Sequence, residues 1–371
     1  MNTLFSAITI NGMELANRLV RSATWEGMCD DDGSPSPRLV KCYKELAAGG
    51  VGLIITGYTY VRPDGKELPG KMGMHHDGLA PAMAELTGAV HGLGGKICVQ
   101  LVHAGGQTRA AMAGRQPVAP SAVQVKQFPE MPAQLTTADI DELVECFGQA
   151  ARRAKAWGFD AIQIHGAHGY LINQFLSAHT NQRGDDYGGS LEKRCRFLQE
   201  VYARVRQEVG PDYPVLLKLN GADFVAGGLS NDEAVAVAKV MDGAGIDGIE
   251  VSGGTTASGK EGPIRVKIKG VEQEAYNLAL ARPIKEAVAC PVLVVGGMRS
   301  FEVVERAIDD DGMDLVALAR PLIREPDLAR RWQQGDRAKA KCISCNGCFK
   351  PGLKEGGIAC VVARQEQSGD R

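Results

Sequence analysis

Two imidazoles three residues apart, followed by a phenol, stand in the run His165-Gly-Ala-His168-Gly-Tyr170. Imidazoles can hold and polarise a ligand oxygen, and a phenol beside them can give up a proton, so the trio reads as an oxyanion-type site with its acid. A metal reading is weaker, because no third carboxylate or histidine stands at a ligand spacing beside the pair. A lone histidine is usually structural; two flanked by glycines at a strand end are less so. Lys218 interrupts the apolar run Val-Leu-Leu-Lys-Leu-Asn and either pairs with a carboxylate or faces an anionic ligand. Gln100 sits in a similar apolar run; its amide both donates and accepts, which suits the edge of a ring bearing carbonyl and imide groups, or it is a satisfied polar core residue. Val-Gly-Gly-Met-Arg-Ser at 295–300 and Ala-Leu-Ala-Arg-Pro at 317–321 bring glycines, backbone amides and a cation together. Gly296 and Gly297 alone would make a tight turn, but with Ala319 and Arg320 they fit a phosphate.

These groups need a scaffold that delivers them to one place. Short β-branched runs alternate with amphipathic stretches, the pattern of repeated β-α units. Eight strands are expected: 19–22, 51–56, 96–101, 161–165, 215–219, 248–252, 292–295 and 315–318. Helices are expected over 139–157, 191–209, 231–244, 277–289 and 300–309, with N-cap signals at Thr137 and at Ser230, whose Glu233 completes a capping box. Eight such units close into a (β/α)8 TIM barrel, whose chemistry collects at the C-terminal ends of its strands. There the rule places Ala23, Thr24 and Trp25 after strand one, Tyr58 after strand two, Gln100 and His103 at three, the His-His-Tyr trio at four and Lys218 at five. Ser252 and Gly253 follow at six, Gly296 and Gly297 at seven, Ala319 and Arg320 at eight. The proline-rich stretch 105–136 reads as a surface excursion or lid beside the mouth, and 253–274 as a mobile loop over it. The barrel is expected over residues 1–335, with a short cysteine-rich segment over 336–371.

A formal charge of −2 with 23% charged residues leaves no basic face for nucleic acid, and no apolar run approaches the roughly 18 residues of a spanning helix. The N-terminus lacks the basic, apolar and small-residue succession of a signal peptide, so the expectation is a cytoplasmic protein without membrane contact. Six scattered cysteines are then expected to be reduced bystanders. Cys342, Cys345, Cys348 and Cys360 are different: their spacing suits a thiolate-ligated cluster or a tetrahedral zinc, with free thiols as the bland alternative.

Several motifs together resemble the old yellow enzyme family of FMN-dependent NAD(P)H oxidoreductases. They are Asn17-Arg18-Leu-Val-Arg-Ser-Ala, Gly50-Val-Gly-Leu-Ile-Ile-Thr56, Gln100-Leu-Val-His103-Ala-Gly, Pro117-Val-Ala-Pro-Ser121, the trio at 165–170, and Asn181-Gln-Arg183-Gly-Asp-Asp-Tyr187-Gly-Gly-Ser, spanning essentially residues 1–335. The resemblance implies FMN across the mouth, its phosphate at Gly296, Gly297, Ala319 and Arg320 and its ring edge at Gln100 and Lys218. Backbone groups of Ala23, Thr24 and Tyr58 would line its pyrimidine and N5 side, and Trp25 would crowd it. Relatives more often carry arginine at the Lys218 position. The implied cycle is flavin reduction by NADH or NADPH, then hydride transfer to the C=C bond of an enone or enoyl thioester. His165 and His168 would hold its carbonyl oxygen while Tyr170 supplies the proton. The four C-terminal cysteines resemble the [4Fe–4S] segment of the 2,4-dienoyl-CoA reductase and trimethylamine dehydrogenase branch. That branch carries a further nucleotide-binding module, so with a cluster present a chain ending at Arg371 is expected to take electrons from a partner protein or directly from a nicotinamide. The alternative function is a flavin/iron–sulfur dehydrogenase or an electron-transfer subunit; a homo-oligomer is equally open.

Overall fold

The computed structural model describes residues 3–369. Eight strands form its centre: β1 (Leu19–Arg21), β2 (Leu53–Ile55), β3 (Ile97–Val102), β4 (Ala161–Gly166), β5 (Val215–Asn220), β6 (Gly248–Ser252), β7 (Val292–Val295) and β8 (Leu315–Leu318). Each pairs in parallel with the next, and Val316 of β8 returns to Leu19 of β1, so the sheet closes on itself. This is the expected (β/α)8 barrel. Its strands read as near-continuous apolar runs because both faces are covered, one by the barrel interior and one by helices. Val20, Leu53, Cys98, Ala161, Leu216 and Leu293 turn inward in one cluster. Their neighbours along each strand, such as Leu19, Ile54, Ile97, Ile162 and Leu217, pack outward against the helices, as the two-residue repeat of a strand demands.

Helices that cover the barrel include α1 (Pro37–Ala48), α2 (Ala80–His91), α3 (Thr137–Ala156), α4 (Leu191–Val209), α5 (Asn231–Gly243), α6 (Leu278–Ala287), α7 (Phe301–Asp309) and α8 (Leu328–Gln333). The cap of α3 sits at Thr136 rather than Thr137. A capping box spans three residues, and only Thr136 is three before Asp139: its hydroxyl accepts from Asp139 N–H at 3.2 Å while the carboxylate accepts from Thr136 N–H at 2.8 Å. The box of Ser230 and Glu233 starts α5 as expected.

Two parts differ from the expectation. An N-terminal hairpin, Ile8–Ile10 with Met13–Leu15, plugs the barrel floor, its Ile10, Met13 and Leu15 joining the inward cluster. The excursion 105–136 is not structureless, since it holds a helical turn at Ala110–Ala113 and a parallel pair, Val118–Ala119 with Ala133–Gln134. The final stretch, from residue 336, is laced over the mouth. Ala340 N–H donates to Arg299 O at 2.9 Å, Ile358 N–H to Glu26 O at 2.8 Å, and Arg38 reaches the carbonyls of Glu355 and Gly356. Among the described residues no helix is long and apolar enough to cross a membrane.

Candidate functional site

At the C-terminal ends of the strands lies a cavity of about 530 Å³. Its floor is built by register. Gln100 on β3 stands opposite Gln163 on β4, and Lys218 on β5 opposite Glu250 on β6. A chain of hydrogen bonds follows: Gln100 Nε2 donates to Gln163 Oε1 (2.6 Å), Gln163 Nε2 to Glu250 Oε2 (2.9 Å), and Lys218 Nζ to both Glu250 Oε1 and Ser22 Oγ (2.9 Å each). Of the two readings open for Lys218, the structure shows the carboxylate pair: the fully buried Glu250 balances it. One atom is left over. Gln100 Oε1 is buried and has no partner within the chain, an acceptor awaiting a donor from a ligand.

The wall above carries the trio. His165 Nδ1 accepts from Ala167 N–H at 3.2 Å, which leaves Nε2 as the proton-bearing nitrogen. His168 Nε2 pairs with Ser252 Oγ at 2.7 Å, and the two rings meet edge to face with centroids 5.2 Å apart. Burial holds both imidazoles well below the ordinary histidine range, helped by His168 and then Lys218 at His165 and by Lys218 at His168, so both are neutral. His168 adopts a left-handed backbone, φ +62°, its N–H bound to Asn220 Oδ1. Tyr170 completes the wall, with its ring 4.9 Å from that of His165 and 5.3 Å from that of Tyr58, and its hydroxyl donates to Glu67 Oε2 at 2.6 Å.

Loop one brings Ala23, Thr24 and Trp25 to the rim. Arg21 fixes that loop, donating to Ile55 O, Thr24 O and Glu26. Trp25 borders the cavity yet is anchored outward: its Nε1 donates to Pro69 O at 3.0 Å and its ring packs on Phe349 at 5.2 Å. It thus clamps the C-terminal segment as well as crowding the mouth.

Across the mouth, Gly297, Ala319 and Arg320 line the cavity, whereas Gly296 stands behind it with its carbonyl accepting from Tyr276 N–H. Gly297 has φ +73°, and a Cβ there would lie 2.4 Å from Ile268 Cδ1 and 2.7 Å from the Tyr276 ring, so only glycine fits. The amides of Arg299 and Ser300, in the same stretch, are taken by Glu274 at 2.7 and 2.8 Å. What remains for a phosphate is the backbone at Gly297 and Ala319 and the Arg320 side chain. His103, also expected at the mouth, is instead fully buried under loop two against Asp64 at 3.1 Å.

The four C-terminal cysteines are neighbours but are not gathered into a ligand set. Among the described residues no group of three or more His, Cys, Asp or Glu side chains is arranged to hold a metal. Cys345 is exposed and accepts from Gly347 N–H, and Cys360 accepts from Arg324 Nη1 at 3.5 Å. Cys348 borders the cavity, its thiol pushed up to about 11 by burial and by nearby Cys342.

Sequence reasoning missed Ser22, Gln163, Glu250, Glu67 and Lys71. Gln163 and Glu250 carried the signal that singled out Lys218, a polar side chain inside an apolar strand; Glu67 and Lys71 lie in an irregular loop and carried none.

The model of the family described as NADH:flavin oxidoreductase / NADH oxidase matches residues 3–339. The chain belongs to this family. A flavin oxidoreductase of the old yellow enzyme type has to seat FMN, and the mouth fits it: the orphaned Gln100 oxygen answers an imide N–H, and the Gly297 cradle and Arg320 answer a phosphate. Within the family, the chain is 40% identical over 350 residues to an NADH oxidase of Thermoanaerobacter brockii, covering 93% of this chain and 53% of that protein. It is 36% identical to an NADPH dehydrogenase of Clostridium acetobutylicum over 324 residues, 87% of this chain and 92% of the other. A solved 2-naphthoyl-CoA reductase in complex with 2-naphthoyl-CoA superposes with a TM-score of 0.91 at 29% identity, over 98% of this chain and 57% of that one. The chain thus spans about half the length of the NADH oxidase and of the naphthoyl-CoA reductase.

Proposed function

We propose that the chain is an FMN-dependent NAD(P)H oxidoreductase that reduces the C=C bond of an α,β-unsaturated carbonyl compound or thioester. One observation carries the reading. Two neutral histidines and a tyrosine share one wall of the cavity, directly above the floor formed by Gln100 and Lys218. FMN bound there supplies hydride transfer, from a nicotinamide and on to the acceptor. Gln100 would hold the ring through its unpaired oxygen, and the Lys218–Glu250 pair would supply a fixed dipole close by. His165 offers an Nε2–H to the acceptor's carbonyl oxygen, and His168 the nitrogen not bound to Ser252, so charge developing on that oxygen meets donors already in place. Tyr170 holds the proton for the α-carbon. Burial raises its hydroxyl well above the usual phenol range, so it is a protonated acid at neutral pH.

Anaerobic mixing with NADH, NADPH and 2-cyclohexenone tests this. Flavin bleaching by a nicotinamide and recovery with the enone is the expected outcome; colourless protein that takes up no FMN overturns it. The spacing of Cys342, Cys345, Cys348 and Cys360, in a chain that spans about half of two of its longer relatives, favours a second reading as the barrel of a flavin/iron–sulfur enzyme working with further electron-transfer modules. Iron and acid-labile sulfide in anaerobically purified protein would support it, and their absence would remove it.

A further inference from the structure

Behind Tyr170 lies a second layer of ionisable groups that the reading above does not use. Loop two, after β2, carries Tyr58, Glu67 and Lys71 under the wall of the cavity. Glu67 accepts the Tyr170 hydroxyl at 2.6 Å and is hydrogen-bonded to Tyr58 as well. Its carboxylate lines the cavity, with a side chain 11% exposed. Lys71 is 1% exposed, and its Nζ has no hydrogen-bond partner. It lies over the Tyr58 ring, 3.8 Å from the centroid, and 3.9 Å from Glu67 Oε2. A buried ammonium with no acceptor is costly, and a carboxylate this deep is scarcely less so.

We propose that Glu67 and Lys71 act as a proton reservoir for Tyr170, holding one exchangeable proton that aims and then replaces the proton Tyr170 gives up; this rests on Tyr170 being the acid of the proposed reaction. The geometry sets two states. With the proton on Lys71, Glu67 is a carboxylate and draws the Tyr170 hydroxyl proton towards itself, away from the cavity. With the proton on Glu67, the carboxyl donates to the Tyr170 oxygen, and the hydroxyl proton turns to the substrate. When Tyr170 loses that proton to the α-carbon, one O–H bond breaks and one C–H bond forms. The Glu67 proton then moves to the phenolate, and the pair is refilled from water through the cavity edge where Glu67 is exposed. No phenolate is left beside a carboxylate.

The local electrostatics agree. Burial, partly opposed by the Glu67 charge, lowers Lys71 to about 7, and burial raises Glu67. Both shifts favour the neutral forms, so the pair can exchange its proton instead of standing as a fixed ion pair. The other charges that reach it are Lys66 on the same loop and, through Tyr58, Glu26 from loop one; His165 and His103, which feel Lys71, are lowered by burial and stay neutral. Glu67 and Lys71 are positioning residues, acting through Tyr170.

Stopped-flow mixing of anaerobically reduced holoenzyme with 2-cyclohexenone, for wild type, Glu67→Gln, Tyr170→Phe and the double variant, reads the relay. Glutamine keeps the shape and cannot pass a proton. The expected result is an acceptor step slowed about 10²-fold in Glu67→Gln, unchanged reduction by NADH, and no further loss when Tyr170 is already Phe. A second readout needs no turnover. In protein labelled with ε-13C lysine, the resonance missing from Lys71→Met should titrate near neutrality and shift to lower pH in Glu67→Gln, because the carboxylate that favours the charged amine is gone. Wild-type rates in Glu67→Gln, an equal additional loss in the double variant, or a Lys71 that stays charged far above neutrality each overturns the proposal. An unimpaired Tyr170→Phe enzyme would instead sink the assignment of Tyr170, while the lysine titration still decides whether the pair shares a proton.

Discussion

Tyr170 is where residue-level chemistry is most exposed to test. Its proton is needed only when the acceptor is reduced, so Tyr170→Phe should slow that half-reaction by about 10²-fold and leave flavin reduction by NADH alone. Equal losses in both halves, measured by single-turnover absorbance, would count against it. The histidines act earlier, on the bound carbonyl. His165→Ala should cost about 10²–10³-fold in the acceptor step, the worth of one oxyanion donor, visible in kcat/KM for the enone. Their protonation follows from burial. Because both are held well below the ordinary histidine value, the neutral form persists as pH falls, and the acceptor step should show no histidine-type loss between neutrality and about pH 5. An acid limb near the free imidazole value would contradict the burial argument. Below the site, Glu250 is a matter of stability. Glu250→Gln leaves Lys218, 2% exposed, with an uncompensated charge, and should lower unfolding free energy in urea by about 3–5 kcal/mol.

Single elements are governed by backbone constraints. Gly297 turns the chain at φ +73° after β7, where an added methyl would strike Ile268 and Tyr276. Gly297→Ala should therefore destabilise by about 1–2 kcal/mol from the left-handed backbone alone and weaken FMN retention in equilibrium dialysis beyond that. Retention equal to wild type would remove this turn from the phosphate site. Element boundaries were mostly legible. β6, β7, β8 and α4 fall where hydrophobic periodicity places them, because buried strands and long amphipathic helices report their own environment. The N-terminal hairpin carries a local signal too. Asn11-Gly12, with φ of 41° and 78°, is a two-residue turn between alternating apolar residues.

Across the whole molecule, the C-terminal segment and the barrel mouth depend on one another. Trp25 sits between them, 2% exposed, against Phe349 and with Gly352 pressed on its ring edge. Trp25→Ala should cost about 3–5 kcal/mol and make residues 336–369 an early target of limited proteolysis, while the barrel core stays protected. Loss of protection throughout would mean that the segment and barrel unfold together.

The closed ring of strands, the trio at 165–170 and the cationic loop after β8 were determined by sequence alone, since each is a local pattern: a period, a spacing, or a polar residue in an apolar run. The pairing of Lys218 with Glu250, the use of the Arg299 and Ser300 amides by Glu274, and the Glu67–Lys71 pair behind Tyr170 were decided by tertiary structure. The first two join residues from different loops or strands, and the third owes its character to burial behind Tyr170 of another loop. Whether a charge is free, balanced or sharing a proton depends on what the fold buries beside it, and no periodicity along the chain encodes that distance.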